Sequence, residues 1–189
     1  MNVIKQSQKA IDEAVNTLKK KGVVICPTDT VYGFLADGTN KKAVEKIYKI
    51  KKRAKSKPLP VFIKDFKMAK KLAEIDTKQK KTLERYWPGK YTFVLKRKPG
   101  VKIYGVDKDT IALRIPKYKF LNNLLNKINK PLVQTSVNIS GNPALIRISD
   151  IINQFSKTDI LIVNAGDMKN NKSSKILDLT KNKVKILRK

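Results

Sequence analysis

The sequence predicts an α/β domain built on a mixed sheet, and three observations carry the prediction. Segments with apolar residues at helical spacing alternate with short runs rich in β-branched and aromatic residues. The 189 residues suffice for one sizeable core and are too few for two. Hydrophobic residues make up 41% of the chain, enough apolar surface to offset the entropy of ordering it.

In chain order, Ala10, Ile11, Ala14, Val15 and Leu18 share a helix face, and Gly22 follows a lysine-rich end that stops the helix. Val23-Val24-Ile25-Cys26 suits a buried strand, after which the chain breaks into the polar run Thr28-Asp29-Thr30-Val31-Tyr32. Asn40 caps a second helix through Ala43, Val44, Ile47, Tyr48 and Ile50, and Pro58 and Pro60 block its continuation. Residues 59–63 read as a strand, 65–73 and 77–86 as helices, and Pro88-Gly89 as a turn. Strands at 91–97 and 110–115 follow, then a helix near 118–128 and a strand at 131–135. A helix near 149–155, a strand at 160–163 and two terminal strands near 175–179 and 184–187 complete the order. No repeat or linker interrupts it, so one domain over residues 1–189, with no further C-terminal domain, is expected.

Composition removes several chemistries. Cys26 is the lone cysteine and histidine is absent, which excludes an intramolecular disulfide, a Cys-His nucleophile pair, a histidine base and a zinc cluster. No apolar run reaches the length of a bilayer span, and the opening MNVIKQSQKAIDEAV is amphipathic, so no membrane segment and a reducing cytoplasm are expected. The formal net charge of +28, from 43 basic and 15 acidic residues, draws phosphate-bearing partners such as nucleotides or RNA. Only six of the basic residues are arginine, and such a lysine bias is also what an AT-rich genome writes. Neither the G-x-x-x-x-G-K-[ST] nor the G-x-G-x-x-G phosphate loop is present, so a nucleotide site needs another design.

Four constellations suit such a design. Lys51 and Arg53, two apart, would point into one pocket if the helix ends near Ile50, and Lys57 adds a third cation for a polyphosphate. The same residues would also suit a solvated basic helix end. Ser136 and Asn138 point the same way in extended chain while Val137 points inward, with Ser140 and Gly141 following; a turn rich in Ser, Asn and Gly has that composition too. Arg114 interrupts an apolar strand, so it needs an anion such as a ligand carboxylate, or else faces solvent on an edge strand. Thr28, Thr30 and Tyr32 offer hydroxyls beside an aromatic wall, or cap a strand end over the core.

Taken in order, the segments PTDTVYG, KKRAKSKPLPV, YWPGKYTFVL, IALRIP, QTSVNISGNP and SSKILDL resemble the threonylcarbamoyl-AMP synthase family, the YrdC-like domain, over nearly the whole chain. The resemblance implies a twisted α/β fold with a deep, positively charged concave cavity. It also implies a nucleotidyltransferase that condenses L-threonine, bicarbonate or carbon dioxide, and ATP into threonylcarbamoyl-adenylate and pyrophosphate. That product serves N6-threonylcarbamoyladenosine formation in tRNA, completed by a separate tRNA-modifying threonylcarbamoyl transferase complex.

Carried over position by position, the resemblance assigns Lys51, Arg53, Lys57, Thr110, Asn138 and Arg188 to ATP. Thr28, Tyr32, Arg114, Ser136 and Ser174 fall to threonine, and Lys51, Arg53, Ser136 and Asn138 form the catalytic group. Mg2+ is expected with ATP, held by phosphates and water, with no protein metal site. Ala54, Phe62 and Ser173-Ser174-Lys175 depart from the family's usual Pro, His and Pro-Ser-Thr. Two other readings stay open: a module for tRNA or double-stranded RNA without this activity, and a paralogue with another acyl substrate.

Overall fold

The computed structural model describes residues 1–169, 172–181 and 184–188. Its strands are β1 (Asn2–Lys5), β2 (Val23–Cys26), β3 (Gly33–Asp37), β4 (Val61–Phe62), β5 (Tyr91–Lys96), β6 (Thr110–Arg114), β7 (Leu132–Ser136), β8 (Ile160–Asn164), β9 (Lys175–Asp178) and β10 (Lys185–Arg188). The helices are α1 (Gln8–Lys19), α2 (Lys41–Lys51), α3 (Phe66–Leu72), α4 (Thr77–Tyr86), α5 (Lys119–Ile128) and α6 (Ile148–Phe155). The strands form one sheet in the order β1-β8-β2-β3-β7-β4-β6-β5-β9-β10. It is mixed, as expected: β1/β8, β2/β8, β4/β6 and β5/β9 pair parallel, the other neighbours antiparallel.

The period-2 alternation of strands and the helical period of the apolar faces divide the core in two. Val23, Ile25, Phe34, Ala36, Val61, Val133, Leu113 and Phe93 face α2, α3, α4 and α6. Val24, Cys26, Leu35, Phe62, Leu132, Leu161 and Val163 face the opposite way, under α1 and α5. Those two helices cover only the β1 to β4 part of their face. By the same alternation, Thr110, Ala112 and Arg114 of β6 and Gln134 and Ser136 of β7 belong to that face, beyond the cover.

Caps hold the helix starts. Ser7 accepts from Ala10 N at 3.2 Å, Asn40 from Ala43 N at 3.1 Å, and Asp76 and Gln79 form a reciprocal capping box. Two strands were not legible in the sequence. β1 is four residues on a sheet edge and largely exposed, so it carries no apolar alternation. β3 is buried throughout, starts on glycine and holds no β-branched residue, so it shows neither period nor composition of a strand. The 59–63 strand contracts to Val61–Phe62, because Pro60 brings no N–H and instead accepts from Gln134 N at 2.8 Å.

Candidate functional site

The uncovered part of the sheet face is one wall of a pocket whose side chains include Lys51, Arg53, Arg114 and Arg188 and no carboxylate. Each cation arrives by a different local device. α2 continues to Lys51, one residue past the expected end, and Lys52 then takes the left-handed conformation at φ 50°. That turn, rather than an extended segment, lets Lys51 and Arg53 reach the same pocket. Arg114 ends β6, and Arg188 ends β10.

Lys51 is only 2% exposed, and its ammonium donates to Ser136 O at 2.6 Å, Asn138 Oδ1 at 2.5 Å and Asn138 O at 3.2 Å. Its own carbonyl accepts from Ser140 N at 2.8 Å. Lys51 therefore braces the 136–140 loop from both ends. Burial first, and the nearby Arg53 second, bring its pKa from 10.5 down to about 8. Within the loop, Ser136 Oγ donates to Asn138 Oδ1 at 2.8 Å, and Asn138 Nδ2 donates to Asn142 O at 2.6 Å. Val137 points into the core as the alternation requires.

Arg53 is half-buried and spends Nε on Lys57 O and one terminal nitrogen on Pro58 O, both at 3.1 Å. Its remaining N–H groups have no protein partner among the described residues. Burial lowers its pKa.

Arg114 neither faces solvent nor depends on a ligand for an anion. β6 lies between β4 and β5, the residue is 1% exposed, and Asp29 Oδ1 sits 2.5 Å from one terminal nitrogen. Nε donates to Gly89 O at 2.9 Å, the other terminal nitrogen lies 3.4 Å from Thr30 Oγ1, and the guanidinium rests 5.5 Å above the Phe62 ring. Asp29 also accepts from Lys117 N at 3.1 Å. Arg188 donates to Ser174 O at 2.9 Å and Ser174 Oγ at 3.1 Å, and Ser174 Oγ meets Thr92 Oγ1 at 2.9 Å. Burial, then repulsion from Arg114, lowers the pKa of Arg188. Arg53 depresses Lys51 and Arg114 depresses Arg188, and the one acid beside them, Asp29, is spent on Arg114 outside the lining, an arrangement suited to a multivalent anion.

The structure thus gathers Lys51, Arg53, Arg114, Ser136, Asn138, Ser174 and Arg188. Four other expected residues lie outside that lining. Thr28 Oγ1 is turned into its own loop, donating to Val31 O at 2.7 Å and accepting from Thr30 N at 3.0 Å. Tyr32 is fully buried, its phenol donating to Gly166 O at 2.7 Å and accepting from Ala165 N at 3.0 Å. Lys57 is exposed and contributes its carbonyl to Arg53 and Tyr48. Thr110 lines an adjoining, mostly apolar pocket with Pro60, Val94, Ala112, Ile176 and Leu187. Phe62 sits beneath Arg114 rather than in the lining.

Sequence reasoning missed Asp29 and Gln134. The rule that a buried arginine needs an anion would have led to Asp29, the one acid in PTDTVYG. The period of β7 would have led to Gln134, two residues before Ser136 and so on the same face. Among the described residues, no group of three or more Cys, Asp and Glu is arranged to hold a metal.

The profile of the Sua5/YciO/YrdC family, described as telomere recombination, matches residues 16–189. A protein of Methanocaldococcus jannaschii is 36% identical over 162 residues, covering 86% of this chain and 76% of the other. The threonylcarbamoyl-AMP synthase of Bacillus subtilis is 33% identical over 159 residues, covering 82% and 46%. Pyrococcus abyssi Sua5 in complex with L-threonine superposes with a TM-score of 0.86 at 27% identity, covering 99% of this chain and 56% of that one. The chain spans about half the length of these last two relatives.

Proposed function

This chain belongs to the Sua5/YciO/YrdC family, and we propose that it is an L-threonylcarbamoyladenylate synthase, a nucleotidyltransferase acting on L-threonine, bicarbonate or carbon dioxide, and ATP. The observation that carries the reading is the convergence of Lys51, Arg53, Arg114 and Arg188 on one pocket without an acidic side chain. Relatives named threonylcarbamoyl-AMP synthase, and a similar structure complexed with L-threonine, support it.

In this reading Arg114, held by Asp29 and Gly89, offers the terminal nitrogen near Thr30 to the threonine carboxylate. Threonine as its free amine bonds through nitrogen to the carbon of carbon dioxide, one C=O pair moves onto oxygen, and the nitrogen releases a proton to water, giving a carbamate. A carbamate oxygen then attacks the α-phosphorus of ATP, and the bond to pyrophosphate breaks. Arg53 and Arg188 neutralise the phosphate oxygens, and Lys51 holds Ser136 and Asn138 in position beside them. No step needs a tuned proton carrier, which suits a chain without histidine. The apolar pocket with Thr110 adjoins the cationic one through Pro58, Pro60 and Ile176 and takes the nucleoside. ATP enters as its magnesium complex, since the lining offers hydroxyls and the amides of Gln134 and Asn138 but no carboxylate to hold a separate ion.

The product would pass to a tRNA-modifying threonylcarbamoyl transferase complex in the cytoplasm. Among the described residues no helix is long and apolar enough to cross a membrane. The deciding experiment is pyrophosphate release from ATP with bicarbonate and magnesium, comparing L-threonine, L-serine and no amino acid. Threonine-dependent release is expected. No release from folded protein would overturn the reading in favour of RNA binding or another acyl substrate.

A further inference from the structure

No described residue hydrogen-bonds to the side-chain carboxamide of Gln134. The residue is 9% exposed and lines the cationic pocket. Among those residues, the one side-chain polar atom both sealed from solvent and unpartnered is Asn122 Oδ1. The amide of Gln134 therefore opens onto the pocket. At the pocket surface its Nε2 can donate to a ligand and its Oε1 can accept from one.

Strand register locates this amide within the site. Leu132, Phe62 and Arg114 form one row across β7, β4 and β6. The next row, by continuation of the same pairing, is Gln134, Pro60 and Ala112, and Gln134 N donates to Pro60 O at 2.8 Å. Ser136 begins the row beyond. Rows on one face lie about 7 Å apart, two residues of strand rise. Gln134 thus stands between the row of Arg114 and the row of Ser136, and its two row neighbours, Pro60 and Ala112, have no polar side-chain atoms. In a threonylcarbamoyl-adenylate with its carboxylate on Arg114 and its phosphate near the Lys51–Arg53 end, the group between the two is the carbamate.

We propose that Gln134 binds the one-carbon unit, bicarbonate and then the carbamate made from it, donating from Nε2 to one of its oxygens. This rests on the synthase reading above. The amide suits the task because it adds no charge of its own: it donates to the anionic oxygen, and its Oε1 accepts the carbamate N–H. The role is distinct from that of Arg114, Arg53 and Arg188, which hold the two ends of the product.

The test is pyrophosphate release by Gln134→Leu, with bicarbonate, threonine and ATP each titrated while the other two saturate. Leucine keeps most of the volume and removes the hydrogen bonds. The half-saturating bicarbonate concentration is expected to rise roughly ten- to a hundredfold, the range for a hydrogen bond to a charged group. Those for threonine and ATP should stay within about twofold, a split that a merely structural role would not produce. Gln134→Glu, which sets a charge against the anion, should raise the bicarbonate requirement further. Gln134→Asn, which keeps the amide but withdraws it by one methylene, should give a smaller rise and serves as the readout if the leucine variant does not fold. An unchanged bicarbonate requirement in a folded variant, or an equal change for all three substrates, overturns the assignment. If the unaltered protein shows no threonine-dependent release, the synthase reading falls and this assignment with it. If it does release pyrophosphate and the variants match it, only the role of Gln134 falls.

Discussion

Replacing Asp29 by Ala would leave the Arg114 guanidinium inside the sheet with no anion. The two side chains are 7% and 2% exposed and 2.5 Å apart, so solvent cannot take over the lost contact. Removing one partner of such a buried pair costs about 3–5 kcal/mol. For a domain of this size each kcal/mol lowers the melting temperature by about 2–4 °C, which makes the expected drop roughly 6–20 °C. Thermal unfolding followed by circular dichroism, with urea unfolding as a check, reads it directly. The double variant Asp29→Ala/Arg114→Met should melt above Asp29→Ala alone, because it removes the orphaned charge and places an apolar chain against Phe62. A drop below about 2 °C, or a double variant less stable than the single one, would refute the argument that Asp29 holds Arg114 in place.

Lys51 makes opposite demands on stability and activity. Its native pKa of about 8 lies below the ordinary 10.5, so between these pH values the unfolded chain binds the extra proton and stability to urea rises with pH. Over the rise through 8, kcat/KM for ATP should fall as the brace loses its charge, and Lys51→Met should abolish both trends. Arg53→Ala should lower pyrophosphate release roughly ten- to ten-thousandfold, from one or two charge-assisted bonds of about 1.5–3 kcal/mol each. Its melting temperature should change little, since the partners it leaves, Lys57 O and Pro58 O, belong to exposed residues; retained turnover would remove it from the phosphate site. Tyr32→Phe should lose about 1–3 kcal/mol of stability by orphaning Ala165 N and Gly166 O, with the threonine requirement unchanged. A tenfold rise in that requirement would mean that the phenol reaches the substrate.

Most elements were legible because their residues report local rules. The helical periods of α1 and α2, the Asn40 cap and the β-branched runs of β5 and β6 depend on neighbours within a few positions. β1 and β3 were not, since one is held by its place beside β8 and the other by burial between β2 and β7. The site divides in the same way. Lys51, Arg53, Ser136 and Asn138 stand in short motifs with a readable spacing, whereas Thr28 and Tyr32 look like ligand contacts in sequence and turn out to satisfy backbone groups in the loops.

By itself the sequence determined an α/β domain of high positive charge, without histidine or disulfide, holding cations and hydroxyls suited to a phosphate-bearing substrate. Only the tertiary structure decided which of the 43 basic residues converge, that Asp29 neutralises Arg114 across 85 positions, and that Gln134 lines their pocket with an amide unpaired among the described residues. The physical reason is that hydrogen bonding and ion pairing act over a few ångströms in space. The register that brings β6, β7 and the end of α2 to one face of the sheet is set by packing across the whole chain.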